Sequence, residues 1–236
     1  MMILALALVV SAAASLTEAL QQLAAVYEQR TGEPVVLNLG ASNTLARQIR
    51  DGAPVDVFIS ADEAQMDAVA GFVVAGTRVR LLSNQLVVAV PDDRPVRLKS
   101  IRDLAGPTFR RIAIGIPTAV PAGVYAKAYL DRIGLWAAIA PRIVPTSSVR
   151  LALAAVENGA ADAAIVYRTD VATARRAREA FAVPLDEGPR IVYPAAAIRG
   201  GNAAGAKRWL DFLRSPEAAA VFERLGFIPL ASRPAA

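Results

Sequence analysis

Residues 1–20 read MMILALALVVSAAASLTEAL. Two readings compete for this stretch. An apolar run followed by small residues of A-x-A type is what a signal peptidase cuts, which would make it a leader to be discarded. The same run, Met2 to Val10, also has the character of a strand buried on both faces of a sheet, with Ser15 at its end. A leader carries positive charge at its start, and this chain has no Lys or Arg before Arg30. The strand reading is carried forward: cleavage after Ala13 or Ala14 would delete the strand and strip Ser15 of its support.

The rest of the composition narrows the class. A length of 236 residues suits one large domain or two small ones. Hydrophobic residues make up 55% and charged ones 20%, which describes a compact chain and argues against disorder. No apolar stretch reaches the roughly 18 uncharged residues of a membrane span; the opening run stops at Glu18 and already contains Ser11, Ser15 and Thr17. Cys and His are both absent. That removes disulfides, thiolate zinc sites, Cys–His pairs and Ser–His–Asp triads together. Paired carboxylates and Ser–Lys chemistry stay open, although Lys occurs only at 99, 127 and 207, in no recognisable Ser–Lys pattern. A net charge of +5 rests mostly on Arg. The one dense basic run, ATARRAREAF (172–181), has few aromatics within it and reads as the solvated face of a helix, not a nucleic-acid surface.

Strand and helix signals alternate outward from the opening. Leu16, Leu20, Leu23 and Tyr27 recur at steps of three and four and predict a helix from about Leu16 to Arg30. TGEPVVLNLG is a turn and a strand; NTLARQIRDG is a short helix stopped by Gly52 at C′. PVDVFIS reads as a buried strand, followed by a Ser60/Glu63 capping-box spacing and a helix ended by Gly71. NQLVVAVP, RRIAIGIP and AAIVY supply further strand signals, and PRIVPTSS leads into the helix SVRLALAAVENG. PAGVYAKAYLDRIG is a helix entered at Pro121 and left at Gly134. SVRLALAAVENG is a helix with Val149, Ala152, Leu153 and Val156 on one face. Two helices close the chain, the last with Ser215 as N-cap and Pro216 at N1. This alternation predicts an α/β protein with mostly parallel sheets. Composition alone marks only candidate boundaries, near Ser83 and near Val192.

Four strand-to-helix junctions share one chemistry: AAASLTEAL, GASNTLARQ, VPAGVYAK and TSSVRLAL. Each puts small or hydroxyl residues before a helix. A helix start has free N–H groups and about half a positive charge, which makes it a ready anion site. Ordinary N-capping explains such serines equally well. Spacing alone leaves both readings open.

The motifs AAASLT, TLARQI, GAPVDVFISAD, VPAGVYAK, VRLALAAVE and IVY, in this order from about Val9 to Phe227, resemble the molybdate-binding proteins of bacterial ABC-type molybdate importers, the ModA-like solute-binding family. GAPVDVFISAD and VPAGVYAK are the specific ones. The resemblance implies a type II periplasmic binding protein fold. Two α/β lobes would be joined by two chain crossings: residues 1–82 plus 194–236 as lobe one, residues 83–193 as lobe two, and a ligand cleft between them. It also implies the oxyanion ligands: the hydroxyls of Ser15, Ser42 and Tyr167 and the backbone N–H groups of Ala122 and Val149. Asn43 and Thr44 would support them from behind. The donor set suits a fully ionised tetrahedral dianion, which only accepts hydrogen bonds. Molybdenum would be held as the oxyanion, with no direct metal ligand.

The expectations that follow are a solute-binding protein for molybdate and tungstate, not an enzyme and without a cofactor, periplasmic, monomeric, and delivering its ligand to an ABC membrane permease. No nucleic-acid partner is expected. A complete export signal is not visible in the chain, so the true start or the leader is expected upstream. Binding of another oxyanion, sulfate or phosphate, is the nearest alternative. A ligand-sensing domain of a regulator or a small α/β enzyme are the alternatives of another class.

Overall fold

The computed structural model describes residues 7–94 and 96–230. Residues 2–6 of the expected first strand lie outside them. The chain forms two compact units: residues 1–83 with 192–236, and residues 84–191.

In the first unit the chain runs β1 (Leu8–Ala13), a 3-10 turn (Ala14–Leu16), α1 (Thr17–Thr31), β2 (Val35–Gly40), α2 (Ser42–Arg50), β3 (Val57–Ile59), α3 (Glu63–Asp67) and β4 (Val79–Ser83). The second unit follows with β5 (Leu86–Pro91), β6 (Ile112–Gly115), α4 (Pro121–Arg132), α5 (Trp136–Ile139), β7 (Ile143–Thr146), α6 (Val149–Glu157), β8 (Ala163–Tyr167), α7 (Arg168–Ala172) and β9 (Ala177–Ala182). The chain then returns to the first unit as β10 (Tyr193–Ala197), α8 (Ala203–Leu213), α9 (Pro216–Arg224) and β11 (Ile228–Pro229).

The strand orders are β11-β4-β10-β3-β1-β2 and β7-β6-β8-β5-β9. The α/β class is as expected, but the sheets are mixed where mostly parallel ones were expected. Parallel pairing is confined to β2-β1-β3 and β7-β6-β8, whose strands are linked by helices. The strands flanking the two passages between units, β4, β5, β9 and β10, pair antiparallel. A strand that enters without a preceding crossover helix is not obliged to run with its neighbours.

Packing explains why the patterned segments fold as they do. In the first unit α2 and α3 bury Leu45, Ile49 and Met66 with Val55, Phe58 and Ile198 in one cluster. α1, α8 and α9 pack together. Tyr27 meets Trp209 edge to face at 5.0 Å, and Phe212 at 5.3 Å, geometries that aromatic quadrupoles favour. Buried Glu33, just past α1, accepts the Tyr27 hydroxyl, Asn202 Nδ2 and Arg208 Nη2, so α1 and α8 are joined by a fully partnered carboxylate. In the second unit α6 buries Val149, Ala152, Leu153 and Val156, the face expected from spacing.

Several local expectations need correction. α3 is capped by Asp62, whose side chain accepts Gln65 N–H at 2.8 Å. Ser60 instead accepts the N–H of Asp62, so the Ser60/Glu63 spacing is not a capping box. α3 ends at Asp67, and Gly71 lies in a separate 3-10 turn. Beyond Ala172, the last residue of α7, the basic run 172–181 is a loop and strand β9, not a helix face. There Glu157 accepts the N–H groups of Arg175 and Arg176, and Arg178 reaches the carbonyls of Arg94 and Val96; loop anchoring replaced helical periodicity.

Candidate functional site

The parallel trio β2-β1-β3 ends at one edge of the first unit's sheet, because parallel neighbours share direction. Ser15 follows β1, Ser42 follows β2, and Ser60–Ala61 follow β3. Both Ser15 and Ser42 are buried, at 3% and 1% exposure. Ser42 Oγ accepts Ala61 N–H at 2.9 Å, which ties the segment after β2 to the one after β3. Ser15 Oγ lies 3.0 Å from the Tyr193 hydroxyl. Asn38 Nδ2, on β2, donates to Ser11 Oγ of β1 just below.

Neither serine is a helix cap. The residue before α2 is Ala41, with no side-chain cap, and its carbonyl accepts the N–H groups of Thr44 and Leu45. The 3-10 turn and α1 likewise start without a side-chain cap. The capping reading of Ser15 and Ser42 is thereby set aside, whereas Ser148 does cap α6 by accepting Leu151 N–H. Asn43, beside Ser42, has a buried Oδ1 with no hydrogen-bond partner among the described residues.

The second unit repeats the arrangement. β7-β6-β8 are parallel neighbours, and α4 follows β6, α6 follows β7, and Tyr167 ends β8. Ala122 sits in the first turn of α4, behind Val120 and Pro121. Pro121 has no N–H to leave unpaired, and Val124 N–H returns to Val120 O. The Ala122 N–H therefore has no acceptor within its helix. Val149 opens α6 in the same state, after Ser148 has taken Leu151 N–H on its side chain and Ala152 N–H on its carbonyl. Tyr167 is 1% exposed. Ser15 and Ser42 thus lie at the carboxyl edge of one unit's parallel strands; Ala122, Val149 and Tyr167 lie at that of the other. Open α/β sheets hold ligands at this edge.

The helix starts differ in charge. The 3-10 turn, α2, α4 and α6 carry no acidic residue in the first turn, as is also true of α5 and α8; α1, α3, α7 and α9 carry Glu18, Glu63, Asp170 and Glu217 there. An acid in the first turn stabilises a helix start, so omitting it leaves positive potential available to an anion. The acid after Ala61, Asp62, is turned into α3 as its cap; burial pushes its carboxyl above the usual range, against the hydrogen bonds from Gln65 and Ser60 and with the help of Asp67 and Glu63. No cluster of His, Cys, Asp and Glu suited to a metal ion exists among the described residues. A cavity of about 820 Å³ in the first unit, lined by Val9, Asp56, Phe72 and Asn202 among others, opens at the opposite, amino-terminal edge. Its carboxylate, Asp56, is occupied by the N–H groups of Val9 and Asn202.

Residues 8–228 match the family model of the bacterial extracellular solute-binding proteins. The chain belongs to that family. Among its relatives, molybdate-binding protein ModA of Escherichia coli K12 is 39% identical over 92% of this chain and 87% of its own length. The ModA of Haemophilus influenzae is 34% identical, covering 92% and 88%. The solved periplasmic molybdate-binding protein of Azotobacter vinelandii superposes with a TM-score of 0.84 at 28% identity, over 94% of this chain and 98% of that one. The resemblance read from the motifs is borne out, and so is the two-unit α/β fold of these solute-binding proteins. No helix among the described residues is long and apolar enough to cross a membrane.

Sequence reasoning missed three residues at these junctions. Tyr193 was seen only as part of a boundary segment, and no local signal links it to Ser15. Gly123 stood inside VPAG, but only the neighbouring Ala122 was singled out; a Cβ on Gly123 would lie 1.9 Å from Gly115 O. Asp170 follows IVY by three residues and binds the Tyr167 N–H; its spacing is that of an N-terminal helix carboxylate, a signal present but unread.

Proposed function

We propose that this solute-binding protein captures molybdate, and tungstate with it, outside the cytoplasm and hands it to the membrane permease of an ABC importer. No bond is made or broken; the chain's work is recognition. The observation that carries the reading is the pair of carboxyl-edge junctions, one in each unit, stocked with donors, where the turn after β1 and the starts of α2, α4 and α6 hold no acidic residue. Named molybdate-binding relatives over nine-tenths of the chain support the choice of ion.

In this reading Ser15, Ser42 and Tyr167 donate hydroxyl protons and Ala122 and Val149 donate backbone N–H groups to the four oxygens. A dianion taken from water loses a large hydration energy. Each hydrogen bond to a charged group returns about 1.5–3 kcal/mol net, so donors from both units are needed. Because the ion gains contacts only when both sets engage, it biases the protein toward its ligand-holding state. A set of donors without an acceptor rejects a protonated anion, whose own O–H would find no partner. Hydrogen phosphate is disfavoured on that ground; sulfate must be excluded by size.

Calorimetric titration of the purified chain with molybdate, tungstate, sulfate and phosphate tests the reading. Tight binding of the first two, with sulfate and phosphate weaker by orders of magnitude, is the expected result. Tight binding of sulfate with none of molybdate would overturn the substrate; no binding of any oxyanion would overturn the function.

A further inference from the structure

The second unit's donors stand beside a charge pair that the ligand set leaves out. Arg150 is the residue after Val149, in the first turn of α6. Its Nε lies 2.9 Å from Oδ1 of Asp170, a carboxylate with 0% side-chain exposure. The other oxygen, Oδ2, accepts the N–H of Tyr167 at 3.2 Å. Arg150 Nη1 also reaches Thr173 Oγ1 at 3.0 Å, and that hydroxyl donates to Asp170 O. One pair therefore connects the start of α6 with the end of β8, the two elements that carry Val149 and Tyr167.

The charges pose a problem that this geometry solves. A buried carboxylate within hydrogen-bond reach of Tyr167 N–H would repel a dianion held nearby. A bare guanidinium next to Val149 would attract any anion, without regard to shape. Pairing cancels both fields locally and leaves the neutral donors to discriminate. A buried ion pair is weak as a source of stability, because desolvation offsets most of its attraction; retaining one beside a site calls for another role.

We propose that Arg150 and Asp170 are positioning residues for the anion site: Asp170 fixes the Tyr167 backbone and α6 against β8, and Arg150 acts on the ligand only by neutralising Asp170. This inference rests on the anion-binding function proposed above.

The test is calorimetric titration with sodium molybdate at two ionic strengths, with ligand-free thermal melts recorded alongside. Arg150→Gln removes the guanidinium charge that faces the carboxylate and is expected to weaken binding by more than about tenfold. The double variant Arg150→Gln/Asp170→Asn removes both charges at constant shape and is expected to return to within about threefold of the parent. A guanidinium that contacted the ion directly would leave the double variant as weak as the single one, and that result overturns the proposal. So does wild-type affinity in folded Arg150→Gln, which would make the pair structural only. If Arg150→Gln does not fold, Asp170→Asn decides: loss of the carboxylate charge while Arg150 keeps its own steepens the salt dependence of molybdate binding, and an unchanged slope overturns the proposal. A parent chain that binds neither molybdate nor tungstate overturns the function itself, a result distinct from each of these.

Discussion

Ser15 Oγ and the Tyr193 hydroxyl lie 3.0 Å apart, although 178 residues separate them in the chain. Ser15 has one proton, and to offer it to an anion it must accept the proton of Tyr193. In the proposed anion site the phenol would then set the direction in which the serine donates. Ser15→Ala removes the donor and is expected to weaken molybdate binding by on the order of tenfold to a hundredfold, at the value of one hydrogen bond to a charged group. Tyr193→Phe leaves the donor but frees its orientation, and a smaller, severalfold loss is expected by the same titration. Equal affinity for Tyr193→Phe and the parent chain would show that the serine needs no such guide.

Ser42 has a scaffold role and a proposed ligand role, and a substitution separates them by measurement. Its Oγ accepts the buried N–H of Ala61. Ser42→Ala orphans that N–H and is expected to cost about 1–3 kcal/mol of ligand-free stability, read by urea unfolding. It also removes a proposed ligand donor, so the thermal shift given by saturating molybdate should shrink. A loss of stability with an unchanged ligand shift would confine Ser42 to the scaffold.

Gly123 lets α4 approach β6. An added methyl would meet Gly115 O at 1.9 Å and the Gly115 carbonyl carbon at 2.5 Å, and backbone atoms cannot rotate aside as a side chain can. Gly123→Ala is expected to destabilise by more than the about 1–3 kcal/mol of ordinary overpacking. By tilting the first turn it also displaces Ala122 N–H. Melting and titration of the same variant check both effects, and a native-like melt would refute the close approach.

Asp162 makes stability depend on acid. Burial alone would raise its carboxyl, but the backbone N–H of Arg111, the Arg94 side chain, the N–H of Arg110 and the Arg111 charge outweigh it and hold the group below its ordinary 3.8. The stabilisation is full above that value and is lost as pH falls through the lower, folded-state value. Asp62 has the opposite sign: its raised carboxyl favours the folded state while protonated, and stability falls as pH rises from 3.8 toward the folded value. Asp162→Asn is expected to flatten the acid limb of a stability–pH curve below about pH 4, and Asp62→Asn to remove the opposing slope. An unchanged acid limb in Asp162→Asn would exclude the group as its source.

Much of this was legible because local chemistry and global fold agree. The α6 face of Val149, Ala152, Leu153 and Val156 is written in one helical period, and Pro121 and Gly134 bracket α4 by their backbone limits alone. Gly52 at φ +91° and Gly134 at φ +70° stand where the chain had to turn left-handed. What was not legible depended on partners far away in sequence. Strand direction in β4, β5, β9 and β10 follows from the order in which the chain visits the units, which no window of residues records. The 172–181 segment looked helical by charge spacing, but Glu157 and the carbonyls of Arg94 and Val96 hold it extended. Ser15 and Ser42 were visible as junction serines, yet only the cap geometry shows that neither caps a helix.

β10 lies between β3 and β4 in its sheet, and it is made only after the entire second unit. On the ribosome, residues 84–191 can therefore condense as a continuous piece while β3 and β4 still lack the strand that joins them. β3 and β4 are joined only once residue 197 has emerged, Glu33 waits longer still for Arg208, and β4 gains its other neighbour only with Ile228–Pro229. Non-local pairing of this kind is slow and leaves strand edges open to other chains. The segment from residue 192 onward is thus a late closing piece for a structure begun at its first strand, and truncations within it are expected to spare the middle of the molecule while unmaking both ends.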